Sequence, residues 1–410
     1  MADKLSTDPY KGVRDFYPED MAIQRYIFDT WANVAESYGF ERYDASVLEP
    51  AELYRAKTGE EIVNEQTYTF RDRGDREVTL RPEMTPTVAR MVAARRRELS
   101  FPLRWYSIPN LFRYERTQRG RLREHWQLNC DIFGADNQYA DAEIIALAYH
   151  ILKKFGAQDD DFVICVNDRG LLNEYFSKTL ALNEEQTHKM YKLLDRKEKI
   201  ATFAEEASEI IGKPLDEREL NGLMNERLSA CLAALGELGV RNVEFRPSIV
   251  RGFDYYDGIV FEVFDTSPEN NRSLFGGGRY NNLTTLFGGD SIPAIGFGMG
   301  DVTMRDFLET HKLLPNLAIG PRVMLLVASP AAIDEAFLVR EEIRGHDIPI
   351  AFDFSGRKLK DQIAQAAKRN IPYVIVVGDD EVASGTYTLR NMSSGEEVRG
   401  TIAELIEKIR

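Results

Sequence analysis

The sequence predicts an α+β fold in two parts, residues 1–320 and residues 321–410. The larger part is expected to hold β-strands together with helices, because polar and apolar residues alternate over 121–132 with the period of a strand. Residues 171–230 follow a helical pattern rich in Glu, Lys and Leu, which predicts a helical insertion near 170–230. Beyond Pro315 and Pro321 strand-like and helix-like segments alternate, as is typical of a small α/β domain.

The first predicted elements lie before residue 100. Apolar residues recur at spacings of three and four over 21–38, and Gly39 stands where a helix C-cap glycine belongs. Segments of strand character at 67–70 and 77–81 are separated by a polar turn, which predicts a hairpin. Residues 83–96 are helical in pattern.

The alternating segment 121–132 has polar residues at every odd position, namely Arg121, Arg123, His125, Gln127, Asn129 and Asp131. The even positions are apolar except Glu124. An ordinary solvent-facing strand is one interpretation. However, solvent faces usually draw Lys, Glu and Thr, whereas guanidinium forks and amides suit a polar ligand. We therefore predict a binding site on this face and assign His125 no catalytic task.

Further elements follow the same rules. Residues 111–116 predict a second strand, 117–120 its loop, and 243–245 and 259–264 two later strands. Glycines at 276–278 and 288–289 bracket a short predicted helix. The C-terminal part is predicted to contain strands at 323–327, 348–352, 373–377 and 386–389 and helices at 332–343, 359–368 and 402–409.

Composition limits the function classes. The 410 residues exceed the size of one core, which stops growing at roughly 250–300 residues. No stretch approaches the ~18 apolar residues of a membrane span, and the start has no signal-peptide pattern. Cys130, Cys165 and Cys231 are far apart, so neither a disulfide framework nor a cysteine metal site is indicated. We expect a cytoplasmic protein with no membrane partner and no bound metal.

Charge is unevenly distributed. The net charge of −14 excludes the basic field of a general nucleic-acid coat protein. Any polyanion must therefore meet local patches. Residues 113–123 contain five arginines against one acidic residue, and residues 351–370 contain five basic residues against two acidic ones.

No phosphate-binding loop of the common nucleotide folds is present. The segment Gly296-Phe297-Gly298-Met299-Gly300 lacks the further glycine of a dinucleotide fingerprint. If a nucleotide binds, arginines on an antiparallel sheet must hold its phosphates.

Five short segments carry distinctive residue combinations. They are Lys11-Gly12-Val13-Arg14-Asp15, Arg81-Pro82-Glu83-Met84-Thr85, Phe112-Arg113-Tyr114-Glu115-Arg116 with its continuation to Gln127 and Gly134, Arg251-Gly252-Phe253-Asp254-Tyr255-Tyr256, and Gly276-Gly277-Gly278-Arg279-Tyr280. Together they resemble the class II aminoacyl-tRNA synthetases and, within that class, the histidyl-tRNA synthetase family, over almost the whole chain. The R-G-x-D-Y-Y segment is the most specific of them.

The resemblance implies an α+β class II synthetase catalytic core, an antiparallel sheet of six or seven strands flanked by helices, with a helical insertion. It also implies a C-terminal α/β anticodon-binding domain. The first helix and the segment ending at Pro50 resemble motif 1, which forms the homodimer in this class, and the arginine-rich segment resembles motif 2. The implied reaction joins L-histidine to ATP as histidyl-adenylate and then to histidine tRNA, with Mg²⁺ carried by ATP. The histidine carboxylate is already ionised at pH 7, so the site needs alignment and positive charge rather than a base.

Residue roles are carried over by position. The catalytic candidates are Arg113 and Arg251, on two sides of the α-phosphate. The ATP-binding candidates are Arg113, Glu115, Arg121 and Arg123. The histidine-binding candidates are Glu83, Thr85, Gln127, Asp131, Tyr255 and Tyr256. The tRNA-binding candidates are Gln118, Arg119, Arg357, Lys358 and Lys360.

One position departs from the family pattern. Motif 3 places an arginine against adenine, but Thr303 stands at that position here. Arg305 lies two residues later, about 200° around a helix, and is expected to face elsewhere. Arg116 or a neighbouring apolar side chain is a possible substitute.

Two alternatives stay open from the sequence. A catalytically inactive synthetase paralogue that regulates ATP phosphoribosyltransferase would lack the C-terminal domain and degrade R-G-x-D-Y-Y, and this chain retains both. Another class II synthetase, such as the threonine or proline enzyme, would fit the C-terminal domain but not the segment 251–258.

Overall fold

A computed structural model describes residues 5–55, 66–197, 200–250, 255–270, 272–353 and 355–410. The chain divides into two compact units. One comprises Met1–Phe16 and Ile23–Pro315, and the other Tyr17–Ala22 and Asn316–Arg410. Arg251, a catalytic candidate, lies outside the described residues.

The strands of the first unit are β1 (Glu41–Arg42), β2 (Leu48–Pro50), β3 (Tyr68–Arg71), β4 (Glu77–Leu80), β5 (Leu103–Ser107), β6 (Asn110–Phe112), β7 (Glu124–Phe133), β8 (Phe162–Asp168), β9 (Val243–Phe245), β10 (Ile259–Asp265), β11 (Ser273–Arg279) and β12 (Ala294–Gly300). Its helices are α1 (Pro18–Ser37, whose first residues belong to the other unit), α2 (Glu52–Arg55), α3 (Thr85–Arg95), α4 (Gln138–Lys154), α5 (Arg169–Glu174), α6 (Glu184–Leu194), α7 (Phe203–Ile211), α8 (Glu217–Asn221), α9 (Glu226–Glu237) and α10 (Asp301–Thr310). A π-helical turn occupies Tyr175–Thr179, and 3-10 turns occupy Asp159–Asp161, Pro268–Asn270 and Leu283–Phe287.

Among the described residues, the largest sheet has nine strands, more than the six or seven predicted. Its centre is the antiparallel series β5-β7-β12-β11-β10-β8. The short strands β1 and β9 add a parallel neighbour at either edge, and β6 pairs with the first half of β7. The additional strands are two or three residues long, too short to show the period-two alternation that identifies a strand in sequence.

The central strand β7 separates the core from the site. Its even residues Leu128, Cys130 and Ile132 are buried in the largest hydrophobic core, together with most of α4. The odd residues from 125 to 131 therefore lie on the other face. Sequence patterning missed α4, in which 11 of 17 residues are buried and the polar face is correspondingly narrow.

The predicted helix at 21–38 is confirmed as α1, and Gly39 has the positive φ of +77° that ends it. The predicted hairpin is confirmed by the antiparallel pairing of β3 with β4. Between residues 169 and 237 the chain is mainly helical, and Leu172, Phe176, Met190 and Leu193 form a separate small core there.

Two strand predictions around the arginine-rich segment were wrong in extent. The strand predicted at 111–116 ends at Phe112, and the strand predicted from 121 begins at Glu124. The backbone of Arg123 instead donates a hydrogen bond to the Gly12 carbonyl, while residues 118 and 121 form an isolated bridge. The N-terminal segment thus takes up the Arg123 N–H, while the Arg113 N–H still donates to the Arg123 carbonyl over 2.9 Å.

The second unit holds β13 (Val323–Val327), β14 (Ile350–Phe352), β15 (Tyr373–Val377), β16 (Tyr387–Asn391) and β17 (Glu397–Gly400), with helices α11 (Ile333–Arg344), α12 (Leu359–Lys368), α13 (Asp379–Ser384) and α14 (Ile402–Ile409) and a 3-10 turn at Pro330–Ala332. The strand order is β14-β13-β15-β16-β17, with the first three parallel. No helix in the described ranges is both long and apolar enough to cross a membrane.

Candidate active site

A pocket opens on the polar face of β7. Its lining comprises Glu83, Thr85, Arg113, Gln127, Asn129, Asp131, Tyr255, Tyr256, Gly276, Tyr280, Gly296, Phe297 and Gly298. The structure thus brings together all six histidine-binding candidates and Arg113, although the chain segments that carry them are far apart in sequence.

Glycines on β12 make room for the pocket side chains. Gly296 pairs with Asp131, and a Cβ there would lie 2.0 Å from the Asp131 Oδ1 atom. A Cβ on Gly298 would lie 2.7 Å from the Gln127 side chain. Since a Cβ atom essentially never lies within 3.0 Å of a non-bonded heavy atom, glycine at these positions lets the two side chains lie across the neighbouring strand.

The carboxyl group of Asp131 is strongly perturbed by its surroundings in the pocket. Its side chain is buried, and the Tyr280 hydroxyl donates a hydrogen bond to Oδ1. Burial raises the pKa of Asp131 to about 7, and the Tyr280 hydrogen bond opposes that rise. The carboxyl group therefore changes charge near neutral pH.

Glu83 and Arg113 are positioned by the segment before α3. The Tyr255 hydroxyl donates to the Glu83 carboxylate over 2.8 Å, deep in the protein. Arg113 Nε donates to the Pro82 carbonyl over 2.9 Å, which orients the guanidinium. Arg81 is buried and donates to the Ala45 and Asn110 carbonyls, so the segment itself is held in place.

Three of the four ATP-binding candidates lie close together, and Arg123 makes separate contacts. Glu115 is largely buried and lies 3.8 Å from Arg113 Nη1 and 3.9 Å from Arg121 Nε. Arg121 is exposed. The Arg123 guanidinium stacks 3.9 Å from the centre of the Tyr114 ring and donates to the Tyr10 hydroxyl. The Arg123 side chain therefore packs against these two tyrosines. The sequence had predicted that it would lie on the polar face of the strand.

The two groups of tRNA-binding candidates lie in different units. Gln118 and Arg119 are exposed at the loop before β7, and Arg119 Nη1 donates to the Glu269 carbonyl over 3.1 Å. Arg357, Lys358 and Lys360 are exposed at the start of α12.

The position that lacks the family arginine lies in the first turn of α10. Thr303 Oγ1 donates to the Leu274 carbonyl over 2.7 Å. Arg305 pairs with Glu309 over 2.8 Å along the helix, which agrees with its expected orientation away from that position.

Several pocket residues were not assigned from sequence. Asn129 belongs to the alternating polar row and Tyr280 to the G-G-G-R-Y segment. Both lie in segments that the sequence singled out, but neither residue was predicted to bind a substrate. The buried ion pair between Arg279 and Asp141, 2.6 Å apart, had no signal in the sequence, because it joins β11 to the unpredicted α4.

A family model described as histidyl-tRNA synthetase matches residues 12–301, and one described as an anticodon binding domain matches residues 322–410. The chain belongs to the histidyl-tRNA synthetase family. The family assignment leaves no support for the threonine or proline enzyme as an alternative.

Relatives of the histidyl-tRNA synthetase family match almost end to end. A curated histidine–tRNA ligase from Leptospira biflexa is 43% identical, with 99% of this chain and 98% of the relative covered. The crystal structure of the apo Staphylococcus aureus histidyl-tRNA synthetase has a TM-score of 0.78 at 25% identity, covering 99% of this chain and 100% of that one. The enzyme from Nostoc sp. PCC 7120 has a TM-score of 0.83 at 23% identity, covering 99% of both chains, which shows the shared fold. The predicted fold class and family are confirmed.

Proposed function

We propose that this chain activates L-histidine with ATP to histidyl-adenylate and transfers the histidyl group to the terminal ribose of histidine tRNA. The observation that carries the proposal is the convergence of six candidate histidine ligands and Arg113 on one pocket. Similarity to a curated histidine–tRNA ligase over nearly the whole chain supports the same reaction. This similarity does not favour the alternative that the chain is an inactive regulatory paralogue.

The pocket suggests how histidine is oriented. Glu83 follows Pro82, whose carbonyl holds Arg113, so Glu83 lies near the reacting end and suits the substrate ammonium group. Asp131 lies four residues along β7 from Gln127 and is buried, which suits the imidazole N–H. Thr85, Gln127, Tyr255 and Tyr256 complete the proposed pocket.

Adenylate formation needs no catalytic base. A carboxylate oxygen of histidine attacks the α-phosphorus, the bond to the bridging oxygen breaks, and pyrophosphate leaves with its electron pair. Arg113 is proposed to hold the α-phosphate, and Arg251, assigned by motif alone, to approach it from the other side. Glu115, Arg121 and Arg123 are proposed to support the ATP site. Mg²⁺ enters with ATP as part of the substrate and offsets its negative charge.

The proposed macromolecular partners are tRNA and a second copy of the chain. We propose that Gln118 and Arg119 meet the tRNA near the active site and that residues 321–410 bind the anticodon. Motif 1 is proposed to form a homodimer, supported by the exposure of Val47, Leu48 and Phe70 on or beside the small sheet of β2, β4 and β3. We place the reaction in the cytoplasm.

Pyrophosphate exchange tests the proposed reaction directly. Purified protein is expected to exchange labelled pyrophosphate into ATP when histidine is supplied, and far more slowly with each of the other nineteen amino acids. Omission of the amino acid provides the background. Failure of histidine alone to support exchange would restore the regulatory paralogue as the better hypothesis.

The exposed cations at the start of α12 are expected to serve tRNA only. Replacing Arg357, Lys358 and Lys360 together with alanine should raise the KM for tRNA at least about tenfold and flatten its salt dependence, because phosphate contacts release counterions. Histidine-dependent exchange should not change. A control triple at Arg344, Arg399 and Lys408 removes the same charge elsewhere in this unit. Equal effects of the two triples would contradict a specific tRNA contact here.

A further inference from the structure

Arg14 lies beside the arginine-rich segment although it is about a hundred residues away in sequence. The backbone of Gly12 accepts the 2.8 Å hydrogen bond from Arg123 described above, which lays this part of the N-terminal segment against the residues before β7. Arg14 Nη2 then reaches Asp301 Oδ2 over 2.7 Å. The Asp301 side chain is 5% exposed and that of Arg14 22% exposed, so the ion pair is largely withdrawn from solvent.

Asp301 fixes this ion pair at one end of the pocket. It is the first residue of α10, and its Oδ1 accepts a hydrogen bond from the Trp126 backbone over 2.9 Å. The preceding Gly300 pairs with Gln127 across β12 and β7. Arg14 is therefore held where β7 begins, and Asp301 stands two residues before Thr303.

The surroundings of the Arg14 guanidinium leave one edge available. The ring of Phe16 lies 4.8 Å from its central carbon, Nη2 is taken by Asp301, and Nε is buried without a partner in the described ranges. Nη1 has no hydrogen-bond partner within those ranges either. An edge-on N–H group of a guanidinium suits an oxyanion acceptor.

His125 shows that the Arg14 and Arg113 charges act on one place. Burial, followed by the nearby positive charges of Arg113 and then Arg14, lowers the pKa of His125 to about 3. The imidazole therefore stays neutral at pH 7. On the pocket face of β7, His125 is the next residue beyond Gln127 on the side away from Asp131.

This geometry defines the nucleotide side of the proposed site. With histidine over residues 127 to 131 and the α-phosphate at Arg113, the rest of ATP must extend toward His125 and the start of α10. Thr303 supplies no charge there. Resting on the proposed function, we propose that Arg14 contacts the triphosphate of ATP through Nη1.

Direct binding of ATP tests this role. Arg14→Ala is expected to raise the Kd for Mg²⁺-ATP about tenfold or more, the effect of losing one charge-assisted hydrogen bond to phosphate. Binding of adenosine, which has no phosphates, and the KM for histidine should change less than about twofold. Arg305→Ala, an arginine on the adjacent helix that pairs with Glu309, is the matched control and should leave all three values unchanged.

The Arg14→Lys variant distinguishes the loss of an ATP contact from a folding defect. Lysine can keep the ion pair with Asp301 but has no second N–H edge, so this variant should fold and still bind Mg²⁺-ATP more weakly. Unchanged ATP affinity in both variants, or an equal loss of adenosine affinity, would overturn the proposal and leave Arg14 a structural tie. Because binding is measured without histidine, wild-type protein that binds ATP but shows no exchange would contradict only the proposed function.

Discussion

Replacing Arg113 with alanine should lower the rate of histidyl-adenylate formation by about 10²-fold or more. Its guanidinium lines the pocket, is 18% exposed, and is oriented by the Pro82 carbonyl. Charge on the α-phosphate oxygens grows in the transition state, and a fixed cation in a partly desolvated site stabilises that state more than the ground state. Single-turnover formation of adenylate measures the effect.

The control for this loss is a structural arginine that is also partly buried. Arg104 in β5 pairs with Glu143 over 2.7 Å and does not line the pocket. Arg104→Ala should lower thermal stability while leaving the rate of adenylate formation within a few fold. If Arg113→Ala keeps a near-normal rate, or if the two variants lose the same rate, Arg113 does not act on the transferred phosphoryl group.

Asp131→Asn should raise the KM for histidine by about 10²-fold at pH 8 while the KM for ATP changes little. At that pH the wild-type carboxyl is mostly ionised, since its pKa is about 7, and an ionised carboxylate binds a buried N–H donor strongly. As the pH falls through 7 the wild-type carboxyl gains its proton and loses this advantage. The difference between wild type and variant should therefore shrink toward pH 6.

Histidine itself also titrates in this range, so the comparison is made between proteins at each pH and not between pH values alone. Asp265 provides a second control, because it is buried and accepts from His311 over 2.8 Å but does not line the pocket. Asp265→Asn should change stability without a histidine-specific effect. A gap between wild type and Asp131→Asn that stays constant from pH 6 to pH 8 would mean that Asp131 does not bind the imidazole as a carboxylate.

Local patterns were sufficient to predict α1 and β7. The apolar spacing over 21–38 and the alternation up to 132 identify α1 and β7, because helix and strand periods impose themselves on any amphipathic segment. The same alternation indicated the polar face on which Gln127 and Asp131 meet the pocket. Patterns failed where that contrast was weak, as in the largely buried α4 and the two-residue β1.

The sequence by itself determined the family, the change of sequence pattern beyond Pro315 and Pro321, and the polar face of β7. Each of these depends on motifs or periodicities within consecutive residues. Only the tertiary structure decided which side chains meet. In the folded chain the Tyr280 hydroxyl donates to Asp131 and Arg123 stacks on Tyr114. Arg14 pairs with Asp301, which lies 287 residues later in the sequence. Such pairs depend on strand order and on where the N-terminal segment returns to the sheet, and contacts between distant residues leave no local period in the chain.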